Sequence, residues 1–577
     1  MGRNLQHVPL YSHFSKPFEE FPDIPPMISA LDGSALYEDG WSSLVRYLIA
    51  VNDVANLHRY VKAHGTRFFG PTVVVHEFDP DRWDPFEIAA KKGSIDALRA
   101  LQEIYQSDTS QTESIEARLR RKKIELLNIA CFYARFDMAD FLLSCGPPLG
   151  AQLNDHDSTG SPLLSAIEAL GTGGNRRGSE VDNTEIEVFV YRLLDRGASV
   201  PQANSYCSNN DRPDHPDLQA TVLGSAAPFG SYELASRLIT DGADIHAQQI
   251  WHELWGGDVH SVTALHIASG FWNLEFLKAL IKYYSDGQLA EAVTIADSKG
   301  QLPLHWALLG LDSSGRRPGQ QTISEGLEIV RLLLEANPDT INTEGKSGAA
   351  FNFAMSGRIA GAEKLALVQL LLDTNPRPTT LNARDQSGAT ALLRLMAFYE
   401  GSGSSQHTYF VPLVNLLLSR GAERSLYDDK NQTVLHKLGS SAAYNEDIPS
   451  HLLEMLIPFV DINQADINGW TALHFMARNL RQVNASRLLV NRGADASAVN
   501  NKGNTPLHEV MTGRLVRKER EDGSLEWPTL SEKIQAHDEI ISILQDAGAS
   551  MDQPNVTGRT PAQLLVEKRA KWDKGGE

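Results

Sequence analysis

The chain has 577 residues, 42% of them hydrophobic, with 72 acidic side chains against 53 basic ones and a formal net charge of -19. That excess of acid argues against non-specific binding to DNA, RNA or anionic membranes, and it favours solubility. The cysteines Cys131, Cys145 and Cys207 are odd in number and lack CxxC spacing, which suits a reducing compartment and offers no zinc site. No apolar run approaches the eighteen or so residues of a membrane span, and the polar amino terminus lacks the apolar core of a signal peptide. Gln6 stands where a myristoylation signal needs Ser or Thr.

In chain order, residues 1–41 are rich in Pro and Phe (Phe14, Pro17, Phe18, Phe21, Pro22, Pro25, Pro26) and read as an extended arm over the first helices. From residue 42 the chain repeats itself. Degenerate units occupy 42–65, 84–101, 124–146 and 160–198, the last with an insertion, and a fifth spans 221–244. Stronger units open at Thr263-Ala264-Leu265-His266 and Leu302-Pro303-Leu304-His305. The unit at 348–373 lacks such a tetrad. Another spans 389–422, and one opens at Thr433-Val434-Leu435-His436.

The clearest unit is 461–495. Gly469 supplies the left-handed turn position that glycine adopts without steric cost. Thr471 caps a short helix whose apolar face is Leu473, Phe475, Met476 and Ala477. A second helix carries Val483, Ala485, Leu488, Leu489 and Val490 and closes at Gly493. The next unit opens at Thr505-Pro506-Leu507-His508, and Thr560-Pro561-Ala562-Gln563 opens a last helix before a polar tail. Turn pairs recur in phase at Asp157/Gly160, Asp297/Gly300, Asp385/Gly388, Asp466/Gly469, Asn500/Gly503 and Asn555/Gly558.

A Thr-Pro-Leu-His tetrad, a Leu-Leu second helix and a closing Gly-Ala-Asp together resemble the ankyrin repeat, and Thr471 and Thr505 lie 34 residues apart against a family period of about 33. The resemblance implies an all-α repeat solenoid, in which about twelve stacked helix-turn-helix units with β-turn fingers fill residues 42–568. The arm at 1–41 and a charged tail at 569–577 would flank it. Two short helices and a turn cannot bury a core alone, so the copies must stack. The resemblance also implies that His266, His305, His436, His474 and His508 bond backbone between repeats, staying neutral and partly buried. They are therefore expected to be structural, not metal ligands or proton shuttles.

Motifs for chemistry fail on inspection. Gly345-Lys346-Ser347 resembles the end of a phosphate-binding loop, but Thr340 stands where its first Gly belongs. Gly171-Thr172-Gly173-Gly174 puts Arg176 at the third dinucleotide-binding glycine. The sequence thus points to no cofactor and no metal. The basic run Arg118, Arg120, Arg121, Lys122 and Lys123 (with Leu119 between) resembles a nuclear localisation signal, and its plainer reading is a solvated helix face.

Two stretches depart from the repeat. Long insertions fall between helices at 171–184, 310–322, 400–407 and 512–533, and the last ends a charge block with Leu525 and Trp527, a candidate docking segment. A lengthened finger at 247–262 carries Trp251, His252, Trp255, Asp258 and His260, with Phe271 and Trp272 at the following inter-helix turn. Tryptophan is enriched among binding hot spots. The expectation is a monomeric, non-catalytic scaffold or adaptor of the cytoplasm or nucleus, holding a protein partner in the concave groove that the resemblance implies. The alternative is a small-molecule binder or enzyme whose His and Asp side chains converge in an aromatic pocket around 251–272.

Overall fold

The computed structural model describes residues 43–66, 69, 84–108, 114–146, 150–155, 160–170, 182–201, 203, 205–206, 218–253, 257–311, 320–357, 359–374, 376–397, 404–441, 448–515, 518–519 and 525–573. The proposed arm, Trp255 and most of the inter-helix insertions lie outside them. Short helices dominate, with four two-stranded antiparallel hairpins among the described residues. The chain divides into two compact units, residues 1–264 with 275–283, and residues 265–274 with 284–577.

In the first unit, the helices Ser43–Ala50, Pro85–Lys92, Ile115–Phe132, Pro162–Glu168 and Val222–Ala226 pack one upon the next. The second of these shows why the sequence folds so locally. Asp84 accepts from the Phe86 and Glu87 amides, Glu87 reaches back to the Asp84 amide, and Pro85 fills a first-turn position that needs no N–H. Gly93 closes the helix in the left-handed region. Phe86, Ile88, Ala89 and Ala90 are buried between neighbours, and full burial of one such Phe or Ile contributes about 1.5–3 kcal/mol. Partner helices Val54–His64 and Ile95–Ser107 form a second packed row.

In the second unit, Pro303–Leu309, Ala350–Ser356, Ala391–Ala397, Val434–Ser441, Ala472–Arg478, Pro506–Thr512 and Pro561–Asp573 likewise pack in succession. The turns before six of these seven, all but Ala350–Ser356, share one construction. The carboxylate or amide oxygen of Asp297, Asp385, Asp428, Asp466, Asn500 or Asn555 accepts the N–H groups two and four residues on. Five of these six turn openers follow the phase read from sequence. The sixth, Asp428, uses Asn431 at φ 60 where the others use Gly.

Adjacent turns are tied by backbone bonds, among them Asp429 N–H to Ser387 O, Ile467 N–H to Lys430 O, Asn501 N–H to Asn468 O and Val556 N–H to Lys502 O. This close approach, as well as φ 76, requires glycine at 469: a Cβ there would stand 2.9 Å from Asn500 Cα.

The last helix departs from the expected boundary. It runs to Asp573, past residue 568, where a charged tail was expected to begin. Arg569 pairs with Asp538, and Trp572 is buried edge-on against His537. An apolar anchor placed after the basic residues holds the helix down. Among the described residues no helix is long and apolar enough to cross a membrane.

Candidate functional site

The fourth tetrad residue acts as a clip from its own helix start to the turn that follows. His474 Nδ1 accepts the Thr471 N–H at 3.1 Å, and its Nε2 lies 3.0 Å from the carbonyl oxygen of Asn504 in the next repeat. His436 spans Thr433 and Trp470 O in the same way, and His508 spans Thr505 and Arg559 O. His266 Nε2 meets Gln301 O at 3.2 Å, while His305 Nδ1 accepts the Leu302 N–H and the ring stacks on Phe353. In His305, His436, His474 and His508 Nδ1 accepts, so Nε2 carries the proton of a neutral ring. Burial pushes His266 and His305 down to about 4 and lowers His436, His474 and His508 too. All five are buried fully, beyond the partial burial expected. They are structural.

Other side chains do the same work where histidine is missing. Asn352 accepts the Ala349 N–H and donates to Ala389 O at 2.9 Å, supplying the clip in the unit that lacks a tetrad. Gly224 leaves the position empty, and Gln249 fills it from the following hairpin, its Oε1 accepting both the Thr221 N–H and hydroxyl. Gln563 accepts the Thr560 N–H. Glu87 holds the position in its own unit and pairs with Lys122 from the next helix.

That pairing redefines the basic run. Arg118 pairs with Asp84 at 2.7 Å, donates to Phe69 O and lies over the Phe86 and Tyr105 rings. Lys122 pairs with Asp84 and Glu87, and Lys123 with Asp155. Burial is the largest single influence and works against both the Arg118 and Lys122 cations. Their partners together outweigh it and raise their pKa values: Asp84 and Tyr105 at Arg118, and Asp84, Glu87 and Glu125 at Lys122. Arg118 and Lys122 thus tie the helix Ile115–Phe132 to the capped start of Pro85–Lys92 and are not a solvated face. Arg120 is exposed, and the Arg121 side chain lies outside the described residues.

The lengthened finger is a hairpin, Gln248–Glu253 against Gly257–Thr263, with Trp251 opposite Val259 and His252 opposite Asp258. A register shift after Gln249 and the positive φ of Ser261 mark a bulge. Ile250, Val259 and Val262 are buried and root the hairpin, while Trp251 is half-buried. Asp258 and His260, two residues apart on one strand and so on one face, are both exposed. The side chain of His252, like Trp255, lies outside the described residues. Asp258 and His260 share an exposed face, and the pocket of the alternative reading would also need His252 and Trp255, whose side chains lie outside the described residues.

Trp272 corrects the expectation at the inter-helix turn. It is 4% exposed, donates from its indole nitrogen to Ala307 O at 2.7 Å, and lies so close to Gly310 and Gly326 that a Cβ at either would meet the ring. A side chain so enclosed cannot serve as an anchor for a partner. Phe271 beside it is half-buried.

In the last insertion, Lys518–Glu519 pairs with Leu525–Glu526 as a short hairpin leading into the helix Leu530–Asp546. Trp527 is 60% exposed and Leu530 is exposed beside it. The Leu525 side chain lies outside the described residues.

A family model described as ankyrin repeats (3 copies) matches residues 439–515, the stretch holding the His474 and His508 clips. No curated protein matches the chain. Ankyrin repeats generally mediate protein–protein interaction, and the match is consistent with a role of that class.

Proposed function

We propose that the chain is a non-catalytic adaptor built of about twelve ankyrin repeats over residues 42–568, recognising a protein partner through the hairpin at 248–263. The observation that carries the extent of the array is the inter-repeat clip, which recurs outside the matched region at His266, Asn352 and His436. Copies that share this bond share the stacking that a repeat array requires.

The hairpin supports the docking assignment. Its roots are buried, so it is held rigidly; Asp258 and His260 present an exposed polar face, while half-buried Trp251 lies on the other face with Val259. Rigid presentation of a polar face, backed by an aromatic on the other side of the hairpin, lowers the ordering cost of binding. The exposed Trp527 segment is a secondary contact in this reading. A catalytic role for Asp258 and His260 would need them enclosed, and their exposure favours recognition over proton transfer.

The test is affinity capture from native extract with the wild type and with a Trp251→Ala, Asp258→Lys variant. Loss of a retained protein with the thermal transition unchanged supports the assignment; an identical captured set removes it.

A further inference from the structure

In a chain of net charge -19, residues 472–515 carry five Arg and one Lys against only Asp495 and Glu509. The fold gathers part of that charge on one edge. Asn479 and Arg514 form a parallel bridge, with the Arg514 N–H on Arg478 O and the Leu480 N–H on Arg514 O. This brings the turns after Ala472–Arg478 and Pro506–Thr512 side by side, with Arg478 and Arg514 both exposed. Arg478 lies over the Trp470 ring, and among the described residues no carboxylate pairs with either guanidinium.

A third cation joins them. Lys568 reaches over from the last helix and donates to Val510 O and Gly513 O, next to Arg514. Burial first, then the neighbouring Arg569 and Arg514 charges, push its pKa down to about 8. Arg569 is paired with Asp538, but among the described residues no carboxylate pairs with Arg478, Arg514 or Lys568, which leaves an edge of positive potential. Glu509 does not discharge it, being buried and committed to Asn500 and Asn504.

We propose that this turn edge docks an acidic peptide segment of a partner protein, with Arg478 and Arg514 each taking a carboxylate. Guanidinium forks match carboxylates bidentately, and two on adjoining turns can bracket neighbouring acidic side chains of an extended segment. A nucleic acid fits less well, since it needs a track of phosphate contacts, and here the cations are confined to one edge of an acidic chain. The surface extends the adaptor reading and shares no residue with the 248–263 hairpin, so each stands or falls alone.

The experiment measures fluorescence anisotropy of a labelled Glu-Glu-Leu repeat peptide titrated with the full chain, against its Gln-Gln-Leu counterpart and an oligothymidylate of similar charge. The expected result is selective binding of the Glu peptide, weakening as salt rises, and weakened about tenfold or more by Arg478→Glu with Arg514→Glu. Trp251→Ala leaves this binding unchanged. Arg478→Gln with Arg514→Gln gives an intermediate loss and serves if the charge reversal disturbs folding. Equal binding of the Gln peptide, tighter binding of the oligothymidylate, or no effect of either double variant overturns the proposal.

Discussion

Asn352 Nδ2 stands 2.9 Å from the carbonyl oxygen of Ala389, making to the following turn the bond that His474 makes with Asn504. The amide oxygen of Asn352 accepts the Ala349 N–H, as the His474 ring accepts that of Thr471. Replacing Asn352 by Ala strips partners from two buried backbone groups, a cost of about 2–4 kcal/mol. Asn352→His restores most of it. Denaturant unfolding of the two variants checks this; equal losses contradict a shared clip.

Acid should loosen the stack through the histidines. Their folded pKa values lie below the unfolded value near 6.5, at about 4 for His266 and His305. The neutral rings therefore contribute stability that is complete above pH 6.5 and is lost as pH falls toward 4. Each contributes a slope of up to about 1.4 kcal/mol per pH unit in that window. Urea midpoints measured at pH 7.5, 6 and 5 should fall with acid, and less steeply in His266→Asn.

The turn glycines are not equivalent. Gly469 and Gly493 both have positive φ, 76° and 92°. A Cβ on Gly469 collides with the Asn500 backbone, whereas one on Gly493 meets nothing within 4 Å. Gly493→Ala should cost about 1–2 kcal/mol from backbone strain alone, and Gly469→Ala clearly more. Thermal transitions of the pair decide it, with equal shifts counting against direct turn-to-turn packing.

Lys122→Ala leaves Asp84 and Glu87 without their shared cation. Removing one partner of a largely buried ion pair costs about 3 kcal/mol, whereas Arg120→Ala on the exposed side should change little. Limited proteolysis of the first unit reads the difference. Unchanged protection in Lys122→Ala would show that the basic run is free surface.

The strong repeats were legible because local geometry dictates them. The Asp297, Asp385 and Asp466 turns and the His436, His474 and His508 tetrads follow from short-range hydrogen bonding and a fixed spacing. The clip in weaker repeats was not legible, since its requirement is an acceptor for one amide and, in most units, a donor for one carbonyl. Asn352 meets that requirement without resembling the tetrad, and Gln249 meets it from another element entirely. Trp272 was misplaced for a related reason: its burial depends on Gly310 and Gly326, far along the chain. Glu87 and Lys122 likewise meet only through packing, so the basic run read as surface.

The most direct measurement compares the proteins retained from native extract by the wild type and by Trp251→Ala with Asp258→Lys, each first shown to have the same thermal transition. The adaptor account predicts at least one protein held by the wild type and absent from the variant. The same proteins held by both, or none held by either, would contradict it.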